Sequence, residues 1–387
     1  MKLPEFDTVD NIRIAGIEWG CLAGQRPRSA GSNARLGPHG RTVRVPIVRL
    51  LADDGSSGFG LGHPTLDQAS ALLGAYLGAV FSPECGVLEM WLPCEYALWD
   101  LAAKHRERPV YALAAAIAGR PPPGRCRVPC YDTSLYFDDL HLASDQDAAA
   151  LIAAEAQEGY ERGHRAFKIK VGRGARHLSL EEGTRRDIAV VRAVREIVGP
   201  DATIMLDANN GYTLNLAKRV LEATGDCRVF WIEEAFHEDP VLYGDLRAWL
   251  DQHNLPTLIA DGEGEASPSL LEWARQRLID VIQYDIWSHG FTRWLVTGRQ
   301  LAAWQVRSAP HHYGTWYGNY AACHLAPAID GFTFVEWDEA TVPGLDAAGY
   351  TLVQGLMSVP AVPGFGLTLD EEAFRHAVET DGWRLTL

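Results

Sequence analysis

Met205-Leu206-Asp207, Trp231-Ile232-Glu233 and Leu258-Ile259-Ala260-Asp261-Gly262-Glu263 repeat one pattern, a short apolar run that ends in an acid or just before one. The series extends in both directions. Phe167-Lys168-Ile169-Lys170-Val171 precedes it, and Val281-Ile282-Gln283-Tyr284-Asp285, Ala309-Pro310-His311-His312 and Phe334-Val335-Glu336-Trp337 follow. Subtracting the positions 207, 233, 263, 285, 311 and 336 gives steps of 26, 30, 22, 26 and 25 residues. A step of that size holds one strand, one helix and two loops. In a closed parallel barrel the C-terminal strand ends open onto one rim, so residues far apart in sequence share a site. The spacing predicts an α/β chain with strands near 127–132, 166–171, 203–207, 229–233, 257–261, 281–285, 306–310 and 332–336.

Composition narrows the partners. A net charge of −15, with no cluster of Lys and Arg to offset it, repels phosphate backbones and anionic lipid. Seven cysteines without any Cys-x-x-Cys spacing, the closest pair being Cys126 and Cys130, read as reduced thiols of a cytoplasmic protein. Met1 to Asp10 has no apolar core and does not read as a secretory signal. The longest apolar stretch, residues 71–81, is too short to span a bilayer.

Ahead of the barrel, residues 1–125 read as an α+β domain. Ile12-Arg13-Ile14 and Thr42 to Val48 alternate as strands, and Ala23 to Arg41, rich in Gly, Arg and Ser, reads as a mobile loop between them. Leu66 to Gly119 has helical periodicity, with Trp91, Ala97, Leu98 and Leu101 on its buried face. Gly119-Arg120-Pro121-Pro122-Pro123-Gly124 breaks any helix and marks the boundary. The barrel then occupies 126–357. Its helices are clearest at Leu180 to Val198, where Ile188, Val191 and Val194 recur at helical spacing. The tail, 358–387, is expected to pack back on the amino-terminal domain.

Strict alternation sends Lys168 and Lys170 to one side of their strand and Phe167, Ile169 and Val171 to the other. Facing inward, two ammonium groups are costly unless they act, and each lowers the other's pKa toward that of a base. Facing outward, they would be solvated tips between barrel and helices. Asp207, Glu233 and Glu263 at consecutive strand ends would repel one another unless a divalent cation joined them. All-oxygen ligation selects a hard ion, Mg2+ or Mn2+. Asp285 and His311 on neighbouring strands can form a dyad in which the carboxylate holds one imidazole nitrogen and frees the other for proton transfer. His312 leaves the choice of histidine open. Glu336, if protonated, would hydrogen-bond a substrate carboxylate.

This ordered set resembles the enolase superfamily, in its mandelate-racemase-like group. Lys168-Ile169-Lys170, Asp207-Ala208-Asn209, Ile232-Glu233-Glu234, Gly262-Glu263, Asp285 and Pro310-His311 carry the likeness. Ala97 to Lys104 with Arg108-Pro109-Val110-Tyr111 looks like that family's capping-domain helix, and Pro360 to Gly366 like its returning tail. The resemblance implies a barrel of modified TIM type under an α+β cap, with Mg2+ on Asp207, Glu233 and Glu263. It further implies Lys170 as base on one substrate face, tuned by Lys168, and the Asp285–His311 dyad on the other. The reaction implied is dehydration of a sugar acid. Lys170 takes the proton beside the carboxylate, the metal stabilises the enediolate, and protonated His311 expels the β-hydroxyl to leave a 2-keto-3-deoxy acid. Ala235 and Tyr284 stand where that pattern has proline, and His289 where it has glycine.

A racemase or epimerase using Lys170 and His311 as opposed bases fits the same motifs, as does a cycloisomerase. A catalytically inactive binding barrel would be expected to lack a ligand or a base, and this chain lacks none. A metal-dependent hydrolase would show histidine ligands, which the three acidic strand ends do not. Specificity is expected from the cap, with some of Arg26, Arg28, Arg35 and His39, and the turn at Gly55 to Gly62, meeting the far end of the substrate. Tyr131, Asn209 and Trp316 are expected near the rim. The resemblance implies a small acid-sugar substrate and a homo-oligomer.

Overall fold

The computed structural model describes residues 11–387, so the reading of Met1 to Asp10 lies outside the described residues. Three antiparallel strands, β1 (Ile14–Ala30), β2 (Gly40–Ala52) and β3 (Ser57–Leu61), build the cap sheet. Eight strands follow in the second part of the chain: β4 (Cys126–Leu135), β5 (Ala166–Lys170), β6 (Thr203–Asp207), β7 (Val229–Glu233), β8 (Leu258–Asp261), β9 (Val281–Ile282), β10 (Arg307–Ser308) and β11 (Val335–Trp337). They pair in chain order from β4 to β10, β11 pairs with β4, and a parallel bridge between Ser308 and Phe332 closes the ring. The last strand, β12 (Trp383–Thr386), returns to pair with β1. The chain stays with the barrel until Val359, because Leu356–Val359 pairs antiparallel with β4.

Alternation within the barrel strands divides the core in two. Phe167, Ile169, Ile204, Leu206, Ile232, Ile259, Ile282 and Val335 face out and join one large cluster with the surrounding helices. Tyr131, Ala166, Met205, Trp231, Ala260, Val281 and Ala309 face in and form a separate apolar plug. Two residues further along, six of these seven strands carry a polar residue (Thr133, Lys168, Asp207, Glu233, Gln283 and His311); after Ala260 that place is Gly262, and the acid follows at Glu263.

One expectation about the cap is corrected. Ala23 to Arg41 is not a mobile loop: β1 continues to Ala30 and β2 starts at Gly40, so only 31–39 form the hairpin tip. Exposed residues there alternate with buried ones, Gly24, Arg26 and Ala30 among them, along a ribbon that has one wet face. The turn at Gly55 to Gly62 leads into β3, which lies against helix α1 (Glu95–His105). A Cβ at Gly58 would stand 2.4 Å from Leu101 N, so glycine there permits strand and helix to touch.

Helix α1 ties cap to barrel through polar groups. Both carboxylate oxygens of Glu95 accept amides at 2.9 Å, from Phe291 and Thr292, in the first turn of barrel helix α3 (Phe291–Ala303, counting Leu180–Val198 as α2). Trp99 Nε1 donates to Thr292 Oγ1 at 2.9 Å, and Tyr96 Oη donates to the Ile286 carbonyl. Asp100 accepts the amides of Phe59 in the cap and Phe365 in the tail, each at 2.9 Å. Gly290, at φ 92, supplies the conformation that brings its neighbours' amides onto Glu95.

A Glu95→Ala variant strands two buried amides and is expected to lose about 1–3 kcal/mol of unfolding free energy per unpaired group in urea titration. Glu95→Gln, which keeps one acceptor, is expected to lose less. Equal midpoints for Glu95→Ala and the parent chain would show that the cap does not depend on this contact.

Candidate active site

Strand register assembles the site. Lys170, Asp207 and Glu233 are direct partners across β5, β6 and β7, and Asp285 pairs with His311 through an isolated bridge. Because each stands two residues beyond an inward plug residue or follows the same alternation, all project toward one opening. Lys168 is 1% and Lys170 4% exposed, so the outward alternative for the lysine pair is overturned.

Lys168 Nζ lies 2.7 Å from Glu233 Oε1, 2.8 Å from Glu336 Oε1 and 3.4 Å from Asp207 Oδ2. Lys170 Nζ pairs with Asp207 and stands 5.2 Å from the Tyr136 ring centre. Burial disfavours the charge of both lysines, yet the carboxylates outweigh it and both pKa values rise. This corrects the expected depression: Lys168 does lower Lys170, but Asp207 counts for more.

His311 is the dyad histidine. Its Nδ1 is 2.9 Å from Asp285 Oδ2 and its Nε2 3.1 Å from Glu263 Oε2. Asp285 Oδ1 also accepts the amides of Trp287 at 2.7 Å and Ser288 at 2.8 Å, which fix the carboxylate from behind. Burial works against an imidazolium here, but Glu263, Glu336 and Asp285 together push His311 up to about 10. His312 turns away into the protein, where its backbone amide donates to Glu336 Oε2 at 3.0 Å and burial lowers its pKa.

Asp207, Glu233 and Glu263 each offer an oxygen within 4.8 Å of the others. Glu263 Oε2 is buried and faces only His311 Nε2. Burial pushes Glu233 up to about 8 even with Lys168 beside it, with Asp207 and Glu336 adding to the rise. Glu234 rises to about 10, from burial first and then from Glu263 and Asp207. An all-oxygen set with this excess of negative charge fits a hard divalent cation.

Asn209, at φ 41, donates from Nδ2 to Glu234 Oε2 at 2.8 Å and Glu263 Oε1 at 3.1 Å, and keeps a buried Oδ1 without a partner. Two further expectations are corrected. Glu336 is not a protonated donor: burial alone would raise it, but Lys168 and His311 hold it well below the carboxylate range, and it accepts Thr133 Oγ1 at 2.6 Å. Tyr131 is not on the rim but in the apolar plug, its ring centre 5.3 Å from Lys168 Nζ. Trp316 is buried edge-on against Tyr320, ring centres 4.5 Å apart. Of the cap residues, His39 reaches the site, 4.9 Å from the Tyr136 ring and 5.3 Å from the Tyr313 ring. Arg26 and Arg28 are spent in ion pairs with Asp338 and with Glu155 and Glu158, and Arg35 lies 3.9 Å from Glu234.

Sequence reasoning passed over Gln283, Tyr136 and Tyr313. Gln283 Nε2 donates to Glu233 Oε2 at 2.8 Å, and the alternation that turns Asp285 inward would have found it. The two tyrosines sit on loops just beyond strand ends, where no periodicity reports direction.

All seven cysteines are free, and no helix among the described residues is long and apolar enough to cross a membrane. Two galacturonate dehydratase structures from Geobacillus sp. are similar to this chain. One, complexed with D-galacturonate and 5-keto-4-deoxy-D-galacturonate, is 47% identical with a TM-score of 0.92, covering 97% of this chain and 99% of that one. The other, a mutant complexed with Mg, is 46% identical with a TM-score of 0.96 over 100% of both. An arabinonate dehydratase of Saccharolobus solfataricus is 26% identical over 291 residues, 72% of this chain and 69% of that protein. Residues 151–373 match the family described as enolase C-terminal domain-like, more than half of the chain. The chain belongs to the enolase superfamily, as its strand-end motifs had suggested.

Proposed function

We propose that this protein dehydrates a sugar acid of the hexuronate class, D-galacturonate foremost. The observation that carries the reading is the pair of proton-transfer arms, Lys170 on β5 and His311 after β10, flanking the carboxylates of β6, β7 and β8. The similarity to proteins named galacturonate dehydratase supports the choice of substrate.

Asp207, Glu233 and Glu263 would hold Mg2+, which when bound supplies a Lewis acid for the substrate carboxylate. Lys170 removes the proton from the carbon beside that carboxylate. To act as a base it must be neutral; the Lys168 ammonium next to it, held by Glu233 and Glu336, pushes toward that state, and Asp207 pulls more strongly against it until its charge is taken up by a ligand. His311, oriented through Nδ1 by Asp285, gives its Nε2 proton to the departing β-hydroxyl. Proton and hydroxide leave as water, and the resulting enol becomes a ketone. In a hexuronate the carboxylate is C6, so the keto group forms at C5 and C4 loses its oxygen. The product is a 2-keto-3-deoxy acid numbered from the acid end. We place the enzyme in the cytoplasm, without nucleic acid or membrane partners, as a homo-oligomer whose substrate is a small acid sugar.

With Mg2+ and D-galacturonate the enzyme is expected to form a 5-keto-4-deoxy product, read by carbonyl-specific detection and mass. Deuterium entering the α-carbon from heavy water with no keto product would support the epimerase reading instead. Lys170→Ala is expected to lose exchange and turnover together, by about 100-fold or more. His311→Asn is expected to keep exchange and lose product; if both activities fell equally, the separate roles would be wrong. By titration calorimetry Glu233→Gln should bind Mg2+ far more weakly than the parent chain, and unchanged binding would remove Glu233 from the ligand set.

A further inference from the structure

His39, Tyr136 and Tyr313 come from three separate segments and meet as one aromatic wall, with ring centres 4.9 to 5.3 Å apart. His39 is on the cap hairpin, Tyr136 follows β4, and Tyr313 is two residues past His311. The wall therefore runs from the Lys170 side of the opening to the His311 side. With Tyr136 5.2 Å from Lys170 Nζ, these rings are the nearest aromatic surface to a substrate whose α-carbon lies at Lys170.

Two polar atoms of the wall, His39 Nε2 and Tyr313 Oη, are buried: His39 Nε2 has no hydrogen-bond partner, and Tyr313 Oη meets only the Tyr136 hydroxyl. Such atoms are costly unless a ligand completes them. Burial, with Lys170 and Arg26 nearby, lowers His39 to about 4, so it meets the ligand neutral at pH 7. Behind the wall, the Arg26 guanidinium lies 4.4 Å from the Tyr313 ring. It makes two 2.8 Å bonds to Asp338, one from Nε and one from Nη2. Asp338 is held in turn, accepting the Gly314 amide at 2.9 Å, while its own carbonyl accepts from Asn319 at 2.9 Å. Arg28 is taken by Ser134 and Glu155.

We propose that this wall receives the uncharged end of the sugar acid, and that the closed Arg26–Asp338 pair makes the enzyme select acids with one carboxylate over diacids. The proposal rests on the dehydratase reading and deepens it. A hydroxyl or carbonyl group can bond to His39 and Tyr313. A second carboxylate would be stripped of water against aromatic rings and an already neutralised arginine.

The test compares D-galacturonate with galactarate, which differ only in oxidation at C1. The holoenzyme is expected to prefer the uronate by about 100-fold in kcat/KM. Tyr313→Phe should raise KM for galacturonate about 10-fold, the worth of one hydrogen bond, with kcat little changed. Asp338→Asn frees Arg26 and should raise the galactarate to galacturonate ratio of kcat/KM. Use of galactarate within a few-fold of galacturonate, or an unchanged KM in Tyr313→Phe, would overturn the wall proposal while leaving the dehydratase reading intact. Absence of both turnover and α-deuterium exchange on every sugar acid would overturn the two together.

Discussion

Lys168 is the group on which the rim depends. Its ammonium, 1% exposed, touches Glu233, Glu336 and Asp207 within 3.4 Å. Without it, three carboxylates on strands β6, β7 and β11 would face one another in a water-poor mouth, a far larger penalty than any of their hydrogen bonds repays. Only a strand position can deliver a cation there, because the pleat fixes the direction of the side chain and the neighbouring strands fix its depth. Lys168 thus leaves Lys170, one pleat higher, next to both a positive charge and Asp207. A base adjacent to its own inhibitor and its own activator responds strongly to whatever takes Asp207 as a ligand.

The barrel and the centre of the site were legible because both obey a period. Inward positions repeat every second residue, and apolar-then-polar pairs such as Met205 with Asp207, Trp231 with Glu233 and Ala309 with His311 mark where each strand passes from plug to rim. The steps of 22 to 30 residues between rim positions did the rest. Tyr131 fails on the same rule that succeeds elsewhere: it occupies the plug position of β4, and Thr133 occupies the rim position. The residue type drew attention while the register pointed two places on.

Where no period operates, charge and composition misled. The Gly, Arg and Ser of residues 23–41 suggested a loop, yet the segment is largely ribbon whose arginines close ion pairs with barrel residues over 100 positions away, such as Arg26 with Asp338. Taken alone, Glu336 reads as an acid able to carry a proton. Its ionised state is set by Lys168 and His311, which lie on other strands. Partners of this kind are a property of the closed barrel and leave no trace in the local sequence.

The same division separates chemistry from specificity. Lys170, Asp207 and Glu233 are locked by backbone pairing, and a one-residue slip in any of their strands would turn the apolar set inward and the charged set out. The wall of His39, Tyr136 and Tyr313 stands on a hairpin tip and two strand-end loops, where a side chain can change without moving a ladder. A barrel built this way can hold one proton-abstraction geometry while the wall is recut for a different sugar acid. The matches to proteins named for galacturonate and for arabinonate fit that division. The constraint that remains on the wall is electrostatic. A cation placed there to greet a second carboxylate would also sit near Lys170 and depress it, so a site that takes diacids must adjust its base as well as its pocket.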